Sequence, residues 1–249
     1  MKTARLQKIS LKWIIVLAGM MIFPLGLSAE TTAEHDIRTI LSQYITCRSI
    51  TVKAEAVPGN PNQFTSLSIK IDTVDMNHLI ADHVTIQYQS PYLNLTEMKK
   101  SKIFNINRYQ DFKIGILVST GSIKQYMDYK AKQYGKEYRK LNIKLSPPYL
   151  EFEFSIAADQ LSQDVHQVLS KFIIQDQLEG YSALNLSVAD NRLTAQSPKS
   201  IVNHFKLPET VLKELGERFN PLLDIPVLLP FRYQLNKISI QKNYLYLSL

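Results

Sequence analysis

Four stretches of the chain carry one short pattern, and it restricts the fold more than any other feature. Ile86 to Leu95, Ile143 to Phe152, Leu186 to Ala195 and Ile238 to Leu247 each begin with apolar residues at the first and third places. Each then has Pro or Asn at the sixth place and Leu at the eighth. Apolar alternation on both sides of a turn-forming residue is the signature of a β-hairpin. Pro presets φ, and Asn tolerates the left-handed region. The expected architecture is α+β: a long twisted antiparallel sheet built from repeated hairpins, curled around about two to four amphipathic helices.

The N-terminus reads differently. Lys2, Arg5, Lys8 and Lys12 precede an uncharged run from Trp13 to Leu27. That run is shorter than the roughly 20 residues needed to span a bilayer, and it contains Pro24 and Gly26. A basic start, a short apolar core and small residues at Ser28 and Ala29 read as a secretory signal over residues 1–29. Leu27 is a poor match to the small residue expected two places before Ala29, so an uncleaved membrane anchor is the alternative. The expectation is an exported, periplasmic or extracytoplasmic protein whose residues 30–249 form a single domain. The formal charge of +7 includes four positive charges of this leader. Without them it falls to about +3, which gives little support for nucleic-acid binding. The single cysteine, Cys47, cannot form an internal disulfide.

Thr31 and Glu34 have the spacing of a capping box, and Ile37, Ile40, Leu41, Tyr44 and Ile45 follow on one helical face. Ile50, Val52, Ala54 and Ala56 alternate as a strand that stops at Pro58-Gly59-Asn60-Pro61, and Leu67, Ile69 and Ile71 alternate again. Residues 102–118 supply one or two strands. Ser122 is placed to cap a helix running to about Lys140, and Asp159 to cap another over residues 159–172. Pro208 suits the first turn of a helix carrying Val211, Leu212, Leu215 and Phe219. Asn220 to Pro230 holds three prolines and cannot be helix or inner strand. Apolar residues are odd-numbered at Phe231, Tyr233 and Leu235 but even-numbered at Ile238 and Ile240, which predicts a β-bulge near Asn236-Lys237.

Chemistry is sparse. There is no nucleophile elbow, no H-E-x-x-H pair and no Gly-rich phosphate loop. Eight glycines leave little material for phosphate cradles. Asp72, Asp75, His78, Asp82 and His83 come nearest to a metal cluster, but their spacing matches no zinc pattern. No catalytic residue, metal or cofactor is expected. Two segments remain as candidate surfaces. Lys124, Tyr126, Lys130, Lys132, Tyr134 and Lys136 interleave ammonium groups with tyrosines, as at a membrane interface facing anionic lipid. The same residues also suit a solvated helix whose tyrosines pack inward. Leu222, Leu223, Ile225, Val227, Leu228 and Phe231, with Leu215 and Phe219 of the preceding helix, are strongly apolar yet irregular. Such a loop either packs against the sheet or forms a lip for an apolar ligand.

At these residues the chain resembles the LmeA-like phospholipid-binding family of bacterial envelope proteins. The resemblance lies in the ending FNPLLDIPVLLPFRYQLNKISIQKNYLYLSL, in LNLSVADNRLTAQSPKSIVNHFKLPETVLKEL and in STGSIKQYMDYKA. Two features depart from that pattern: Asn191 and Asn243 stand where the family's turns usually have Gly, and Asp159 to Lys171 has no clear counterpart. The resemblance implies a non-catalytic phospholipid-binding protein of the cell envelope, with a fold akin to the tubular lipid-binding proteins. Its partners would be a phospholipid or other acyl-chain ligand and a membrane surface, with no nucleic acid. A structural or scaffolding envelope protein with a filled core is the alternative.

Overall fold

The computed structural model describes residues 30–133, 139–160, 163, 166–167, 170, 176–225, 227–228 and 230–249. The leader at 1–29 and most of the helix expected over 159–172 lie outside these residues. Ala33–Leu249 forms one compact unit. It is mostly antiparallel sheet, with helices α1 (Thr32–Leu41), α2 (Leu95–Ser101), α3 (Thr120–Gln133) and α4 (Glu209–Phe219) among the described residues, an α+β architecture.

The strands are β1 (Cys47–Val57), β2 (Asn60–Met76), β3 (Leu79–Gln89), β4 (Asp111–Ser119), β5 (Lys140–Ser146), β6 (Tyr149–Ala157), β7 (Gln177–Ala189), β8 (Arg192–Val202), β9 (Phe205–Lys206), β10 (Leu223–Asp224), β11 (Lys237–Gln241) and β12 (Tyr244–Ser248). One sheet has the order β1-β2-β3-β4-β12-β11 and the other β10-β8-β7-β6-β5, with β9 paired to β8.

Period-2 alternation sets the first sheet's core. Ile50, Ile71, Val84, Ile116, Leu247 and Ile238 sit directly opposite one another across all six strands. A neighbouring row runs Val52, Ile69, Ile86 and Ile114. Cross-strand pairs of this kind are the unit of sheet stability, and all ten residues except Ile238 are buried. Ile37, Ile40 and Leu41 of α1 join the same core, and the Ala54 N–H donates to Glu34 Oε1 at 2.9 Å to hold the helix against β1. Alternation changes phase where the β2–β3 ladder skips Thr73 and Asp82, as it also does between Phe64 and Leu67 at the β1–β2 register shift. Thr73 takes φ +53, and the inward positions pass from Ile71 to Val74.

In the second sheet Leu145 faces Leu150, and Leu150 faces Leu184. A register shift between Ala183 and Asn185 bends the β7–β8 ladder there. Leu145, Leu150, Leu184 and Ala195 make a second, smaller core.

Three local expectations are corrected. Ile86 to Leu95 is not a hairpin: β3 ends at Gln89, Ser90 takes φ +49, and Tyr92 bridges both Gln63 and Arg108. Asn94 is recruited instead as the N-cap of α2, its carboxamide accepting from the Glu97 N–H at 3.1 Å. Residues 102–118 hold one strand, β4, preceded by a loop, within the one or two expected. Phe231 to Asn236 is extended but outside the sheets, so the phase change falls at a strand end and no bulge is needed. The cap of α3 is Ser119, whose Oγ accepts from the Ser122 N–H, while Asp82 accepts from the Ser119 N–H at 2.6 Å and from the Ser122 hydroxyl.

Candidate functional site

Among the described residues, three join the two cores. Ile123 of α3, Leu186 of β7 and Ile240 of β11 pack against both. A crevice opens beside this junction, with a volume of about 460 Å³, lined by Pro147, Pro148, Asn185, Leu186, Ile238, Ser239 and Ile240. Each wall has a local cause. The β5–β6 turn supplies the prolines, which carry no N–H to satisfy. The β7 irregularity at Asn185 re-aims Leu186. Among the described residues β11 is the last strand of its sheet, so one edge of Ile238–Ile240 has no strand partner there. The walls are mainly aliphatic, with Asn185 and Ser239 as polar points. Small-molecule sites typically have volumes of about 300–1,000 Å³, apolar walls and a few placed polar groups.

A second recess of about 210 Å³ lies at the other end of the second sheet, where Lys140, Glu153, Ser155, Glu179, Asn203 and His204 stand among Phe154, Tyr181 and Ile201. Its groups are engaged structurally. Lys140 pairs with Glu153 at 3.2 Å, Gln177 donates to Ser155 and Glu179, and the Asn203 carboxamide bonds the backbone of Gln177 and Glu179.

The apolar loop is divided. Ile225, Leu228 and Phe231 are buried in the main core, with Phe231 in edge contact with Phe104 at 5.5 Å. The Leu228 N–H donates to the Tyr233 hydroxyl at 2.9 Å. Leu223 is half-buried and pairs with Leu193. These side chains therefore pack on the sheet, while Leu222 and Val227 face solvent. Leu215 and Phe219 lie in α4, but their side chains lie outside the described residues.

In α3, Tyr126 is half-buried against the main core and Lys130 sits 5.7 Å over its ring. Tyr129 stacks on His78 at 4.0 Å, and Lys124 and Lys132 point to solvent. Tyr134 and Lys136 lie outside the described residues. The acidic and histidine residues between Asp72 and His83 do not converge: Asp72 bonds His83 at 2.8 Å and Ser49 at 2.7 Å, Asp75 accepts from the His78 N–H, and Asp82 serves α3. Among the described residues no three His, Cys, Asp or Glu side chains gather as metal ligands. Burial, then the nearby Asp72 charge, pushes the Cys47 thiol pKa up, the reverse of what a thiolate nucleophile needs.

Sequence reasoning missed the crevice, because its walls come from three hairpin segments brought together only by tertiary packing. Leu186, Ile238 and Ile240 are visible in the sequence only as alternating strand residues.

Set against models of known protein families, curated proteins and solved structures, the chain matches none of them.

Proposed function

We propose that this chain is an exported phospholipid-binding protein of the bacterial cell envelope, acting in lipid handling, assembly or maintenance. It resembles the LmeA-like family in kind, is non-catalytic, and takes an acyl chain into the aliphatic crevice between β7, β11 and the β5–β6 turn. In this reading the two hairpin-rich sheets act together as one long twisted surface curled around the helices, and residues 1–29 direct export or anchor the chain. The observation that carries the proposal is the crevice itself, a half-open space of about 460 Å³ where the two cores meet. Lys124 and Lys132, exposed on α3, would approach anionic lipid, and Leu222 and Val227 remain accessible from the apolar loop.

The energetics suit a carrier. Moving an acyl chain from water into an apolar groove gains roughly 0.8 kcal/mol per methylene. For about 15 methylenes that is on the order of 12 kcal/mol, reduced where the groove is open to water. A chain leaving a bilayer gains almost none of this, because hydrocarbon replaces hydrocarbon. The protein therefore needs only to keep the chain dry in transit.

The test is organic-solvent extraction and native mass spectrometry of the freshly isolated protein. A retained phospholipid is expected. A lipid-free extract together with no binding to anionic liposomes overturns the proposal.

One observation favours the second reading, a scaffolding envelope protein. Ile225, Leu228 and Phe231 are already enclosed by protein, so the apolar loop spends most of its surface on stability. A lipid-free protein with undiminished stability would support that reading.

A further inference from the structure

The segment from Met98 to Gln110 contains Lys99, Lys100, Lys102 and Arg108 and no acidic residue. It holds the end of α2 and the loop leading to β4. α2 terminates at Lys102, which takes the left-handed conformation with φ 57 and turns the chain away from the helix axis. The next two residues go opposite ways. Phe104 is buried, with its ring against Phe231 in the main core. Ile103 is 56% exposed, more than any other large apolar side chain among the described residues. Phe104 thus fixes the loop, and Ile103 beside it stays at the surface.

Two further features surround Ile103. Tyr44, 40% exposed, donates its hydroxyl to the Lys102 carbonyl at 2.8 Å, which sets an amphipathic ring beside it. The Phe104–Phe231 contact brings this loop to the apolar segment that carries exposed Val227. The charges are available too. Lys99 is paired with Asp36 at 2.9 Å, but Lys100 and Lys102 form no ion pair among the described residues.

We propose that this end of the molecule docks on an anionic bilayer, with Ile103 inserted at the headgroup boundary, Tyr44 at the interface and Lys100 and Lys102 on lipid phosphates. Charge complementarity chooses the occupant: two unpaired lysines in an acid-free stretch favour a negatively charged surface. Size agrees with it. One isoleucine and one tyrosine fall far short of the roughly 800 Å² per side of a stable protein interface, but they match a weak, reversible membrane contact. Exposed α3 offers charge without a large exposed apolar residue, whereas this loop offers both. The inference rests on the lipid-handling reading for its purpose, and its experiment reads a local membrane contact rather than retained lipid.

The experiment uses the protein carrying Ile103→Trp, with Tyr244→Trp as an exposed reference position and the unsubstituted protein as background. Each is mixed with vesicles of phosphatidylglycerol and phosphatidylcholine, or of phosphatidylcholine alone. A blue shift and quenching by brominated lipid are expected for Ile103→Trp on the anionic vesicles only. Lys100→Glu with Lys102→Glu should weaken that response by about ten-fold or more at low salt, from the loss of two lysines near a charged surface. An unshifted Ile103→Trp, an equal response from Tyr244→Trp, or indifference to charge reversal overturns the proposal. So does a vesicle-independent, concentration-dependent shift, which would mean that a second copy of the chain covers the patch. Retained phospholipid with an unshifted Ile103→Trp would sink the docking surface and leave the carrier reading standing. A lipid-free extract with the full shift would do the opposite.

Discussion

The Asn191 carboxamide holds the backbone on either side of Leu235 as a strand neighbour would. Its Oδ1 accepts from the Leu235 N–H at 2.7 Å, and its Nδ2 donates to the Tyr233 carbonyl at 3.1 Å. The Asn191 backbone N–H donates in turn to the Leu235 carbonyl. The β7–β8 turn therefore carries the extended Phe231 to Asn236 segment without a ladder, and keeps Phe231, Tyr233 and Leu235 in the core.

Asn191 and Asn243 separate backbone need from side-chain need. Both take positive φ, +61 and +72, and glycine suits both backbones. Only Asn191 also bonds the 233–235 segment. Asn191→Gly should lower stability by about 1–3 kcal/mol, the cost of leaving buried groups unsatisfied. Asn243→Gly should stay within about 0.5 kcal/mol of the parent. Urea midpoints of the two variants decide the matter; equal midpoints would remove the clamp from the account.

How much of this was legible depends on whether neighbours in sequence were enough. Ile69 and Ile71 alternate, and they face Ile86 and Val84 as strand residues do. Pro208 precedes α4, and its carbonyl accepts from the Leu212 N–H in the first turn. The failures arise where a distant group decides. Phe231 to Asn236 reads as a strand because its alternation is real, yet Asn191 replaces the ladder. Asn94 reads as a hairpin residue, yet the Pro91 carbonyl is taken by the Phe64 N–H, and the chain turns into α2. The crevice and the Ile103 loop were invisible for the same reason. Their character comes from Leu186 meeting Ile240 and from Phe104 meeting Phe231, pairs far apart in the chain.

Acid sensitivity should be traceable in part to Asp72. The Ser49 hydroxyl first, and then His83, hold its carboxyl below the usual carboxylate range. A depressed folded-state pKa contributes stability above the unfolded value near 3.9, and that contribution is lost as pH falls through the folded value. Asp72→Asn should therefore lower Tm slightly near neutrality and converge with the parent below about pH 4, which flattens the acid limb of the Tm–pH curve. The group is exposed, so the effect is small. An unchanged acid limb would mean that the Ser49 and His83 bonds do not persist in solution.

Gly180 is a position where any side chain is opposed by a neighbour. The Phe154 ring lies over it across the β6–β7 pair, and a Cβ there would overlap the ring. Gly180→Ala should cost about 1–3 kcal/mol through overpacking. Combining it with Phe154→Leu should recover part of that loss, because the two sites share one contact. Additive losses in the double variant would show that the ring moves aside freely.

The crevice and the apolar loop give opposite expectations when altered. Leu228 is buried in the main core, so Leu228→Asp places a carboxylate among apolar side chains at a cost on the order of 4 kcal/mol. Against a total stability of about 5–15 kcal/mol, it should cause broad loss of fold together with lipid retention. Ser239 lines the crevice but is exposed, so Ser239→Trp can occupy that space without entering either core. It should leave Tm within a few degrees of the parent, since exposed substitutions shift stability by only about 0.5 kcal/mol, while reducing retained phospholipid several-fold. Native mass spectrometry and thermal unfolding of the two variants separate the cases. Full lipid retention by a folded Ser239→Trp protein would place the acyl chain elsewhere. Loss of lipid by a folded Leu228→Asp protein would return the binding site to the loop.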